Sequence, residues 1–460
     1  MQRIFSFVTR GYCHFIGMID LKPLEVIQKS LVLIQVSKID GLWEFSQQFA
    51  GGINFYCPTN EIEMNQTPFD NMEETMKRAK KNVKRVKNLK MLAVLLLVTG
   101  MLALPAAAKK SPEKPLVQMA ILLDTSGSME GLIEQAKTQL WKIVNEMALA
   151  KKDGQSPRLE VALYEYGKDS IPASEGYLRM IVPLSVDLDR ISEELFKLKT
   201  NGGSEYCGKV IQSSIQELQW TKRNDYLKVI FIAGNEPFTQ GAVDYRNACK
   251  EAITKGIMVN TIFCGNYQEG IQTHWKDGAD LADGKYINID QNQKIAHIDA
   301  PQDKEIAALG KSINKTYVAY GRKGDEKKKR QQEQDANAAG LGEAVMAQRS
   351  MAKASTQYNN ATWDLVDAEK EGKVKVEELE EEQLPEEMKK MTKAERKQYV
   401  EKMKRERDEI QKKINRLRKE RDHYVAEKRK KMADDNTLDA AMINIVKEQA
   451  QQKNYKFEEK

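Results

Sequence analysis

The feature that most constrains this 460-residue chain is a nearly unbroken apolar run, Val117 to Leu123, that ends in Asp124-Thr125-Ser126-Gly127-Ser128. A run without polar alternation suits a central strand covered on both faces. From Gly131 to Ala150, residues Ile133, Ala136, Leu140, Ile143, Val144 and Met147 share one helical stripe. Strand then helix opens a βα unit.

The alternation continues along the chain. Strands are predicted at Leu159 to Tyr166, near Met180 to Leu184, and at Lys228 to Ala233, Met258 to Phe263 and Lys285 to Ile289. Helices are predicted at Leu188 to Leu198, Tyr206 to Trp220, Val243 to Lys255, around Ala279 to Leu281, and at Lys304 to Lys315. This order predicts an α/β fold, a doubly wound and mostly parallel sheet with helices on both faces. Ligands of such sheets bind beyond the carboxyl ends of the strands, here the loops after residues 123, 233 and 263.

Asp124, Ser126 and Ser128 offer one carboxylate and two hydroxyls from a tight turn just after the buried strand. Hard cations such as Mg2+ or Mn2+ take oxygen ligands in an octahedral shell and usually keep several waters. Such a set leaves positions open for an acidic group of a ligand. The plainer alternative is that Ser126 and Ser128 only cap the helix that follows.

Over roughly residues 115 to 320 the sequence resembles the von Willebrand factor type A domain family. The resemblance is carried by DTSGSM (124–129), TNGGSEYCG (200–208), KVIFIAGNEP (228–237) and IMVNTIFCG (257–265). It implies a Rossmann-like fold and a metal-ion-dependent adhesion site whose Asp-x-Ser-x-Ser motif falls on Asp124, Ser126 and Ser128. The family's threonine in a Gly-Gly-Thr loop corresponds to Ser204, which keeps the hydroxyl. The family's aspartate after the fourth core strand corresponds to Gly234. Loss of that carboxylate weakens the site unless Asn235, Glu236 or Glu205 supplies oxygen in its place.

Upstream, residues 76–90 are basic, 91–105 are apolar and Ala106-Ala107-Ala108 forms a small-x-small site. This is the pattern of a cleavable export signal, with an apolar run short of the roughly 20 residues of a spanning helix. Residues 1–75 show neither clear periodicity nor a basic lead, which suggests that translation starts at Met76. In the alternative the long form is real and residues 91–105 stay as an inner-membrane anchor. Both readings put the domain outside the cytoplasm, periplasmic or secreted, with membrane contact only if the segment is uncleaved.

The expected organisation is a signal peptide at 76–108, a linker at 109–115, a domain at 116–320, a polar linker at 321–342 and a charged helical tail at 343–460. In the tail, a helix is predicted at Glu343 to Ala368. A coiled coil is predicted at about 385–432, because Val400, Met403, Ile410, Ile414, Leu417 and Tyr424 step by three and four. Arg407 and Arg421 fall on the same seam, so a single extended helix is the competing reading. Leu438 to Val446 is an apolar patch that either folds back or docks on a partner.

The chain carries 73 Lys and Arg against 67 Asp and Glu, interleaved in the tail without a long block of one sign, which argues against nucleic-acid binding. Cys13, Cys57, Cys207, Cys249 and Cys264 lack zinc-type pairing. In an oxidising compartment the last three predict either one disulfide or three buried thiols. With no Gly-x-Ser-x-Gly, phosphate-binding loop or His-Glu-x-x-His segment, no enzyme activity is expected. Two functions remain. One is a protein-binding or adhesion module using the metal site, with a partner presenting acidic groups and a tail for assembly or self-association. The other is a structural scaffold with a degenerate metal site that interacts through its coiled-coil tail.

Overall fold

The computed structural model describes residues 114–290, 298–429 and 438–457, which belong to one compact unit spanning 107–460. The expected export signal and the segment before it lie outside the described residues. No described helix is long and apolar enough to cross a membrane.

The chain enters through β1 (Leu116–Asp124), α1 (Glu130–Met147), β2 (Ala150–Lys151), β3 (Arg158–Tyr166), β4 (Leu178–Ser185), α2 (Leu188–Lys197) and α3 (Cys207–Glu217). It continues through β5 (Leu227–Gly234), α4 (Tyr245–Thr254), β6 (Met258–Cys264), α5 (Tyr267–Gln272), α6 (Trp275–Asp280), β7 (Tyr286–Ile289) and α7 (Asp303–Asn314). The main sheet runs β4-β3-β1-β5-β6-β7. All of its pairings are parallel except that of β3 with β4.

From β1 the chain builds outward first to β3 and β4 and then, on the other side, to β5, β6 and β7. The strand order therefore reverses beside β1, where open α/β sheets bind ligands. Asp124 ends β1 at that point. Side chains alternate across β1 with the period of two that a strand requires. Val117, Met119, Ile121 and Leu123 join the core under α1 and α2, while Ala120 and Leu122 join the core under α3 and α4.

The helical part departs from the sequence expectation in two places. Residues 321–342, expected as a polar linker, form α8 (Gly324–Gly340), which lies along α2 and α9 (Glu343–Lys353). Its polar composition hid its role, because the buried positions are filled by Gln331, Gln334 and Asp335, each of which is buried. The helix expected over Glu343 to Ala368 is divided. α9 stops at Lys353 and α10 begins at Leu365 (Leu365–Lys370). Between them Tyr358 turns inward, its hydroxyl donating to Asp189 at 2.5 Å, and Asp364 caps α10 by accepting from the Asp367 N–H at 2.9 Å. Tertiary bonds here override a helical pattern.

After the short α11 (Glu386–Lys389), α12 runs from Lys393 to Arg429 as one long charged helix against α7 and α10. Arg407 and Arg421, the two cations on its apolar seam, are buried and paired. Arg407 donates to the Thr316 carbonyl at 2.6 Å and to Asp364 at 2.7 Å, and Arg421 to Asp303 at 2.5 Å. α13 (Leu438–Gln452) folds back on α1, burying Met442, Ile443, Ile445 and Val446 in the sheet core. Gln449 and Asn260 exchange amide hydrogen bonds at 2.8 and 3.0 Å. The Tyr455 hydroxyl donates to the Leu116 carbonyl at 2.8 Å, and β8 (Lys456–Phe457) pairs antiparallel with β2. Cys207, Cys249 and Cys264 are three buried free thiols.

Candidate metal centre

The turn after β1 is built by its own side chains. Asp124 Oδ1 accepts from the Ser126 N–H at 2.7 Å, and the Met129 N–H donates to the Ser126 carbonyl at 3.1 Å. This fixes Ser126 and Ser128 on the same side, with their hydroxyl oxygens 3.3 Å apart. Thr125 points away, its hydroxyl donating to the Tyr166 carbonyl at 3.2 Å. That contact ties the turn to the end of β3.

Two further segments close on the turn. The loop leading into α3 is stitched down by the Asn201 N–H donating to the Thr125 carbonyl at 2.9 Å. A Cβ on Gly203 would stand 2.6 Å from the Gly167 carbonyl oxygen, so only glycine allows this approach. Ser204 sits half-buried in that loop and Glu205 is buried just beyond it. From the end of β5, Asn235 Nδ2 donates to Ser128 Oγ at 3.3 Å. Gln240 links the remaining pair: it accepts from the Glu205 N–H at 3.1 Å and donates to Glu236 at 3.2 Å.

The structure thus brings Asp124, Ser126, Ser128 and Asn235 into one hydrogen-bonded cluster, with Glu205 and Glu236 close enough to perturb Asp124 electrostatically or be perturbed by it. Burial pushes the Asp124 carboxyl up to about 7, against the Ser126 hydrogen bonds that lower it, and the negative charge of Glu236 adds to the rise. Burial also pushes Glu205 up to about 8, aided by the charges of Asp124 and Glu236 and opposed by a hydrogen bond from the Ser126 hydroxyl. Like charges in a poorly solvated site disfavour one another's ionised forms.

Two acceptors in this cluster have no partner, Asp124 Oδ2 and Asn235 Oδ1, and both are buried. A buried carboxylate oxygen without a donor is costly unless something binds it. Among the described residues no group of three or more His, Cys, Asp and Glu converges as a metal cluster. The donor set is instead carboxylate, hydroxyl and amide oxygen, which suits a hard divalent cation.

Tyr166, which the sequence presents only as a packing residue of β3, reaches this site. Its hydroxyl donates to the Ala233 carbonyl at 2.9 Å and accepts from the buried Cys207 thiol at 3.9 Å. No sequence signal marks it, since Tyr164, Glu165 and Tyr166 are all buried despite alternating faces.

Residues 118–274 match the von Willebrand factor type A domain family. Solved structures similar to the chain include BatB, a conserved hypothetical protein from Bacteroides thetaiotaomicron, at 16% identity over 38% of this chain and 90% of that one, TM-score 0.29. The SpRpn10 VWA domain is similar at 14% identity over 38% and 88% of the two chains, TM-score 0.29. Proximal thread matrix protein 1 from the mussel byssus, described with a zinc-occupied MIDAS motif, is similar at 14% identity over 38% and 42%, TM-score 0.28. No curated protein matches the chain.

Proposed function

We propose, for a chain that carries a von Willebrand factor type A domain over residues 118–274, that it is an exported protein-binding module whose site at the end of β1 holds a divalent cation. The single observation that carries this reading is the buried, unpartnered Oδ2 of Asp124, beside the equally unpartnered Oδ1 of Asn235. Asp124, Ser126 and Ser128 would hold the ion, and Ser204, in the loop that Asn201 anchors to the turn, is the further hydroxyl that would complete the set. Mg2+ or Mn2+ fits this all-oxygen set. When bound, the ion acts as a Lewis acid that accepts an acidic group of a protein partner.

The residues of the chain do the rest. The tether from Thr125 fixes the turn to the end of β3, and Gln240 links the Glu205 backbone to the Glu236 side chain beside it. The role of the site is to bind a partner. The basic and apolar stretches at 76–105 support export.

The test is thermal unfolding of the protein with Mg2+, Mn2+ or chelator, for the natural chain and Asp124→Ala. A ligand that prefers the native state raises the melting temperature by mass action. A metal-dependent rise that disappears in Asp124→Ala supports the site; no rise at saturating metal sinks it.

A second reading, a scaffold with a degenerate site, is favoured by Gly234, which leaves the end of β5 without a carboxylate. Under that reading Asp124→Ala leaves every captured partner in place.

A further inference from the structure

The carboxylate missing at position 234 has no room there. A Cβ on Gly234 would stand 2.5 Å from Tyr166 Oη and 3.0 Å from Asp124 Oδ2. Tyr166 is not free to withdraw, since its hydroxyl is bonded to the Ala233 carbonyl and its ring is buried.

Glu205 approaches Asp124 from the opposite side. A Cβ on Gly167 would stand 2.7 Å from Glu205 Cγ, 2.8 Å from Asp124 Oδ1 and 3.5 Å from Glu205 Oε1. The two carboxylate side chains therefore share one notch, which stays open because residue 167 is a glycine with φ of 76°. Glu205 is only 5% exposed and Asp124 is fully buried. The nearby cations are committed elsewhere, Lys168 and Arg179 both to Glu165, and among the described residues neither Asp124 nor Glu205 forms an ion pair. Two carboxylates buried together without a cation must hold a proton or gain a counter-ion.

We propose that Glu205 is the second carboxylate of the metal centre, supplied from the loop before α3 because Tyr166 fills the space at the end of β5. This rests on the metal reading above. Its consequence is that the second charge opposing the ion sits on the β3 and α3 side of Asp124, away from Gly234.

The experiment is calorimetric titration of the whole protein with Mn2+, for the natural chain, Glu205→Gln, Glu236→Gln and Asp124→Ala, with melting temperatures in chelator as a fold control. Glu205→Gln is expected to raise the Mn2+ dissociation constant at least about tenfold, while its melting temperature in chelator holds or rises because the amide needs no proton to stay neutral in that buried place. Glu236→Gln removes the same charge from the rim and is expected to change Mn2+ affinity far less. Equal losses in the two variants would mean a general field effect and overturn the assignment, as would an unchanged constant in Glu205→Gln. If the natural chain binds no Mn2+, the metal reading itself fails. If the natural chain binds and Asp124→Ala does not, while Glu205→Gln binds normally, only the role of Glu205 falls. Should Glu205→Gln fold poorly, Glu205→Asp keeps the charge but retracts it by one methylene and is expected to show the same loss.

Discussion

Arg349 of α9 donates to Asp189 of α2 at 2.8 Å, with both side chains buried. The same guanidinium also bonds Asp335 of α8 and the Gln331 carbonyl, and it lies 4.5 Å over the Trp141 ring of α1. One side chain thus links the first two helices of the sheet domain to the first two helices of the tail. Replacing Arg349 by Met leaves Asp189 and Asp335 buried with Lys353 as the remaining cation near Asp335. Removing one partner of a buried pair costs about 3–5 kcal/mol. Urea unfolding should show a loss of that size, and a loss below about 1 kcal/mol, the scale of exposed pairs, would show that the network is dispensable.

The tail is also part of the core. Ala352, Tyr358, Trp363, Met442, Ile445 and Val446 share one buried cluster with Trp141, Val144 and Met147 of α1. Deleting residues 322–460 strips this cover, and exposed apolar surface on that scale marks an aggregation-prone protein. The truncated protein is expected to be insoluble or to bind a hydrophobic dye without cooperative unfolding. A soluble fragment with a sharp thermal transition would show instead that the sheet domain stands alone.

Position 234 offers a separate test. Gly234→Asp restores the side chain that the family resemblance implies, yet it meets Tyr166 Oη and Asp124 Oδ2. Overpacking of this kind costs about 1–3 kcal/mol, so the variant should melt lower in chelator and bind Mn2+ no more tightly. Adding Tyr166→Phe removes the nearest clashing atom and is expected to recover part of the stability. A tighter Mn2+ constant in the single variant would show that the site can open.

Much of the fold was legible because β1, β5 and β6 are mostly apolar and buried at every position, set between helices with clear stripes. Asp124, Ser126 and Ser128 were legible as a spacing, since a turn fixes neighbours in sequence. What the sequence did not show was long-range. α8 buries glutamines and an aspartate against Ser192, Asn314 and Arg349, so no apolar stripe announces it. The seam arginines read as flaws in a coiled coil, whereas Asp303 and Asp364 receive them. The proximity of Tyr166 to position 234 depends on β3 and β5 both flanking β1, a relation fixed by topology and invisible in either segment alone.

The metal-free protein should lose stability as pH rises, opposite to the usual behaviour of a carboxylate held in an ion pair. Burial pushes the Asp124 and Glu205 carboxyls up to about 7 and about 8 in the folded chain, against about 3.9 and 4.3 in an unfolded one. From about pH 4 to about pH 8 the folded state holds more protons than the unfolded state. The slope of unfolding free energy against pH is then negative, and this contribution to stability is present at low pH and lost as pH passes through 7 and 8. A cation reverses the direction, because it binds the ionised carboxylates and releases their protons. Melting temperatures in chelator should therefore fall from pH 5 to 8 relative to Glu205→Gln, while the Mn2+ constant of the natural chain tightens over the same range. Parallel pH profiles for the natural chain and Glu205→Gln in chelator would show that Glu205 is ionised in the folded protein without a cation.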